Sequence, residues 1–191
     1  MATIKREFRN PQGLNEILFE LLGHPVNGDW DADIPSEIFI GRIKKGEYKG
    51  ATSQQWGRIM EKYAYSYLAR HLEASGWKLR KGEMIDGKEY DCVGWRAEHE
   101  NKQMPDLAIE MHFPLPQQSE TYLLTYITKQ TDKMMLKLEQ VEANRRYIVI
   151  GVPPNKRIET IEAPHPLIKV VYQEYKFGAT KPEKRRGQAH G

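Results

Sequence analysis

Three stretches carry side chains whose types and spacing suit metal-assisted hydrolysis. Asp91 stands in Lys88-Glu-Tyr-Asp-Cys-Val-Gly94, an acid inside an apolar run. Glu110 and His112 stand in Pro105-Asp-Leu-Ala-Ile-Glu-Met-His-Phe113, two residues apart and so on one face of a strand. Glu61 lies one position beyond the apolar stripe of a long helix, at the edge of its buried face. A buried carboxylate without a partner costs several kcal/mol, so acids in apolar strands call for a counter-charge. A structural ion pair would meet that need. So would a metal ion, because facing positions on strands about 4.8 Å apart can share one hard cation. With Cys92 the only cysteine, an oxygen donor set favours Mg²⁺ or Mn²⁺ over structural zinc. Such an ion, with a positioned water and a stabilised charge, is what phosphodiester cleavage requires. His112 fits a base, a ligand or a satisfied core histidine, and two nearby carboxylates would raise its pKa from about 6.5. Asp106 shares the parity of Glu110 and His112 but reads as a turn residue after Pro105.

The elements that must position these groups are legible as patterns. Pro11 to Gly23 reads as a short amphipathic helix through Leu14, Ile17, Leu18, Leu21 and Leu22, after ten residues that read as a frayed segment or arm. Residues 24–51 are mostly loop, with Glu37 to Gly41 as a short strand. Thr52-Ser-Gln-Gln55 fits a capping box, opening a helix to about Ser75 whose stripe runs Trp56, Ile59, Met60, Tyr63, Ala64, Tyr67, Leu68 and Leu72. Trp77 to Met84 and Glu89 to Trp95 read as strands joined at Asp86-Gly87. A polar loop, Arg96 to Met104, leads to a third strand, Asp106 to Phe113. Tyr122 to Asn144 is a long helix, or a β-like stretch to Thr128 followed by a helix. Arg146 to Val152 and Leu167 to Tyr175 are the last strands. An antiparallel start followed by a helical crossover gives an α/β (α+β) fold, with a central mixed sheet flanked by helices.

A helical acid, an acid in a hairpin strand, and an acid-x-basic step in the next strand together resemble the PD-(D/E)XK nuclease superfamily. The matching residues are Glu61, Asp91 and Glu110-x-His112, and the following helix and the strand Tyr147-Ile-Val-Ile-Gly-Val152 continue the pattern over residues 52–152. The resemblance implies a restriction-endonuclease-like fold in which Glu61, Asp91 and Glu110 hold Mg²⁺ or Mn²⁺. It further implies hydrolysis of duplex DNA by a homodimer, in the manner of a type II restriction enzyme. A repair, recombination or defence nuclease of the same fold is the nearest alternative, and an inactive nucleic-acid-binding protein the next. The superfamily has lysine where this chain has His112. Histidine supplies no permanent cation, so Lys129 or Lys133 on the following helix is expected to reach in instead.

Composition fits that reading. The chain of 191 residues has room for one ordinary domain, taken as residues 1–176 with its core at 52–152 and an N-terminal extension at 1–51. Net charge is only +3, but residues 176–191 hold five basic side chains against Glu183. A second basic run, with Arg42, Lys44, Lys45 and Lys49, lies in a glycine-bounded loop. Basic loops around a balanced body suit contact with DNA phosphates, and residues 177–191 read as a basic, disordered tail. Mean hydropathy is −0.71, and no apolar run approaches the roughly 20 residues of a membrane span. With no apolar core near the N-terminus, a cytoplasmic protein is expected. Glu98-His-Glu100 is not an HExxH site, and the chain has no Gly-rich phosphate loop.

Overall fold

The computed structural model describes residues 3–5, 12–34, 53–114, 120–153, 160–162 and 165–174. The elements run β1 (Thr3–Lys5), α1 (Gly13–Leu22), α2 (Ser53–Glu73), β2 (Trp77–Ile85), β3 (Lys88–Arg96), β4 (Leu107–His112), α3 (Glu120–Leu138), β5 (Arg145–Val152), β6 (Thr160–Glu162) and β7 (Ile168–Glu174). The main sheet has the order β2-β3-β4-β5-β7. β2, β3 and β4 pair antiparallel; β4, β5 and β7 pair parallel. This is the expected mixed sheet.

Local sequence explains the turns that set this order. Asp86 and Gly87 both take positive φ, 48° and 76°, as a tight two-residue hairpin requires. Because α3 covers the crossover from β4 to β5, those strands run parallel. Helices cover both faces, so β4 and β5 read as continuous apolar runs rather than alternating ones. On one face Leu14, Leu18, Met60, Leu68, Cys92, Ile109 and Val149 pack together from α1, α2 and the strands. On the other, Leu123, Ile127 and Leu138 of α3 pack on Val93, Ala108, Ile148 and Ile150. Asp91 shares the parity of Val93, and Glu110 that of Ala108, so both acids belong to the face that α3 covers.

Two stretches left open by the sequence are resolved. Within the first ten residues, Thr3–Lys5 pairs with Thr160–Glu162 in a separate two-stranded sheet rather than fraying. Of the two readings for the stretch after Tyr122, the long helix holds, but it begins at Glu120 and ends at Leu138, short of Asn144. The strand at 37–41, the cap at Thr52, the basic loop of Arg42, Lys44, Lys45 and Lys49, and the tail at 177–191 lie outside the described residues. Among the described residues no helix is long and apolar enough to cross a membrane.

Candidate functional site

Asp91 sits where the sheet's regular pairing is interrupted on both sides. Toward β2, the register runs through Lys81 with Cys92 and resumes at Glu83 with Tyr90, leaving Gly82 opposite Asp91. Gly82 has φ 63°, a conformation that suits glycine, and a Cβ there would stand 3.1 Å from a carboxylate oxygen of Glu89. Toward β4, the regular pairing ends at Cys92 with Ile109, and the next step brings Asp91 against Glu110. There the side chains take over the backbone's hydrogen bonds. The Asp91 N–H donates to Glu110 Oε1 at 3.1 Å, and the Met111 N–H donates to Asp91 Oδ2 at 2.8 Å. Each carboxylate is thereby fixed by the other strand.

Around this pair opens a cleft of about 680 Å³. Glu61, Gly57 and Arg58 line it from α2, Lys81 and Glu89 from the hairpin, and His112 from the end of β4. Tyr126, Gln130 and Lys137 line it from α3. Helical spacing explains these sets: 57 and 61 are four apart, as are 126 and 130, and 137 follows seven later. Lys137 Nζ donates to Glu110 Oε2 at 2.7 Å, and the ammonium lies 5.2 Å from the Tyr90 ring centroid. The Tyr90 hydroxyl donates to the Lys137 carbonyl at 3.1 Å, pinning the last turn of α3 against β3.

Burial and crowding govern the charge states. Burial first, then the Asp91 carboxylate, pushes Glu110 up to about 7, with Lys137 opposing. Burial and then Asp91 likewise push Glu61 up to about 7, against the attraction of Lys81. Burial also raises Asp91, although the Met111 N–H holds it down. All three acids therefore hold their protons more tightly than free carboxyls, chiefly because burial disfavours the charged form. For His112 burial lowers the imidazole to about 4, opposite to the upward shift expected from nearby carboxylates. His112 Nε2 is buried and has no hydrogen-bond partner among the described residues, and the ring lies edge-on to Tyr126.

The structure thus brings Glu61, Asp91, Glu110 and His112 together. Lys129 is a correction: it is exposed on α3 and does not line the cleft, and Lys133 is exposed too. Sequence reasoning missed Lys137, which supplies the cation at Glu110. Lys129 lies well round the helix from the Leu123-Ile127-Met134 stripe, whereas Lys137 adjoins that stripe beside Tyr126 and Gln130; that phase was the available signal. Asp106 takes no part. It accepts from the Arg96 N–H at 2.9 Å and pairs with His99 Nδ1 at 2.8 Å, tying the loop after β3. Despite burial, these bonds hold its carboxyl below the usual range.

The oxygen donors fit a divalent cation in kind. Mg²⁺ is commonly held by one or two carboxylates, with water and substrate phosphate completing its shell. Asp91 and Glu110 are such a pair, and Asp91 Oδ1 has no hydrogen-bond partner among the described residues. No group of three or more His, Cys, Asp or Glu side chains there forms a ready-made ion cage. Fold and site therefore define an α+β domain with a carboxylate-paired cleft at the end of β4, between helices on opposite faces of the sheet. None of the family models, curated proteins or solved structures compared with this chain matches it.

Proposed function

We propose that this protein is a divalent-metal-dependent endonuclease that hydrolyses phosphodiester bonds of duplex DNA, of the restriction-enzyme type and acting as a homodimer. The observation that carries this reading is the Asp91–Glu110 pair, each acid bonded to the other strand's backbone where the ladder breaks, beside a cleft that also holds Glu61. The order of elements supports it as well: helix, hairpin, strand, helix, strand, with an acid on each of the first three.

Asp91 and Glu110 would hold Mg²⁺ or Mn²⁺, which supplies a Lewis acid for a non-bridging phosphate oxygen and a more acidic water. Glu61, with a carboxyl near neutrality, either completes the ligand set or accepts the proton of the attacking water. His112 is neutral and edge-packed, so it offers a lone pair or an N–H to the cleft but no positive charge. Outside the described residues, Arg42, Lys44, Lys45 and Lys49 would grip the DNA backbone.

Incubating supercoiled plasmid with the protein and Mg²⁺ or Mn²⁺ tests the reading. Discrete linear bands identify a site-specific enzyme and a smear a non-specific one. Retardation without cleavage, in either metal, would leave only a nucleic-acid-binding module.

A further inference from the structure

Both oxygens of Glu110 are occupied. Oε1 takes the Asp91 N–H and Oε2 takes the Lys137 ammonium. The Glu110 side chain is only 5% exposed and Lys137 Nζ lies 2.7 Å from its Oε2, so a cation bound at Oε2 would crowd that ammonium and compete with it for one carboxylate. The Asp91 N–H belongs to the backbone of β3 and is fixed. Lys137 is different: its ammonium ends a flexible four-carbon stem, 29% exposed, in a cleft wide enough for it to swing. Its backbone stays put, because the Tyr90 hydroxyl holds its carbonyl.

We infer that Lys137 is a displaceable counter-ion, which neutralises Glu110 in the ion-free protein, yields Oε2 to a divalent cation, and then turns onto the anionic substrate in the same cleft. This rests on the proposed metal-dependent reaction. Lys137 thereby does two things of opposite sign: it competes with the ion and assists the reaction. A lysine serving only to hold α3 on the sheet would do neither.

The opposition of signs is the test. Mn²⁺ binding without DNA is measured by titration calorimetry on wild type, Lys137→Met, Lys137→Gln and Asp91→Asn, at about pH 9 so that carboxylates are ionised. Lys137→Gln retains a hydrogen-bond donor for Glu110 should the methionine variant fold poorly. The inference expects both Lys137 variants to bind Mn²⁺ tighter by about tenfold or more, since a unit charge at this range outweighs one power of ten. At saturating Mn²⁺ they should cleave plasmid more slowly by about 10²-fold or more, as for a lost charge stabiliser. Unchanged or weaker Mn²⁺ binding in folded Lys137 variants overturns the displacement. Tighter binding with wild-type cleavage overturns the turn onto substrate. If wild type binds Mn²⁺ and Asp91→Asn does not, the metal site stands whatever Lys137 does. If no variant binds Mn²⁺, the inference and the metal reading both fall.

Discussion

Replacing Asp91 with asparagine should make the metal-free protein more stable, and only at neutral and alkaline pH. Asparagine is isosteric, and its carbonyl can still accept the Met111 N–H that Asp91 Oδ2 accepts at 2.8 Å. What disappears is a charge crowding Glu61 and Glu110, both lifted from 4.5 to about 7. A carboxyl with a raised folded-state pKa holds its proton more tightly when folded. Stability therefore falls as pH rises from about 4.5 to about 7 and stays low above. For Glu110, at 4% exposure, a shift of that size corresponds to about 3 kcal/mol. Burial is the larger cause and Asp91 the second, so relief from Asp91 is below half of this, about 1 kcal/mol at each acid. The sum, about 2 kcal/mol, raises Tm by roughly 4–8 °C in a chain of this size. The assay is thermal unfolding of both proteins in EDTA, from acid to mildly alkaline pH. The difference should shrink toward zero below about pH 3, where carboxyls are largely protonated in the unfolded chain as well as in the folded one. Excess Mg²⁺ should reverse the order, because an ion at 100 times its Kd adds about 2.7 kcal/mol to wild type alone. A lower Tm for Asp91→Asn at every pH would refute the reasoning and make Asp91 a structural ion-pair partner.

Cleavage should rise with pH through about 7, as Glu61 and Glu110 ionise, and level off above. A profile flat from pH 5 to 9 would separate these acids from the reaction. Gly82→Val, placed at φ 63° opposite Asp91, should strain the hairpin by about 1–3 kcal/mol, read as a lower denaturant midpoint, and should reduce cleavage more than the stability loss alone explains. Neutralising Arg42, Lys44, Lys45 and Lys49 should flatten the log-log salt dependence of DNA binding by about one unit per lost phosphate contact, and an unchanged slope would mean that the loop faces solvent.

Much of the fold could be read because its signals are local. The Asp86-Gly87 turn, the α2 stripe and the buried β5 run each dictate an element, and two acids in apolar strands marked the site. The hidden features depend on contacts distant in sequence. β1 is three residues paired with a strand more than 150 positions away, and so short a segment has no periodicity of its own. Glu120 to Leu138 mixes β-branched residues with polar ones, so propensity alone left its first turns ambiguous; packing on β4 and β5 decides them. The pKa of His112 depends on how deeply the end of β4 is covered, which spacing does not reveal. Residue type alone does not set Lys129 and Lys133 apart from Lys137 on the same helix. Only the register of α3 on the sheet shows that the Lys137 ammonium reaches Glu110.

The most direct test of the central claim is nicking and linearisation of supercoiled plasmid by wild type and by Glu110→Gln, in Mg²⁺ and in EDTA. The Gln variant is first shown by circular dichroism to be folded. Wild type should cut in Mg²⁺ and not in EDTA, and Glu110→Gln should be slower by about 10³-fold or more in Mg²⁺, since it would remove the charge of a carboxylate proposed to hold the ion. Cleavage by Glu110→Gln at the wild-type rate, or by wild type in EDTA, would contradict the account.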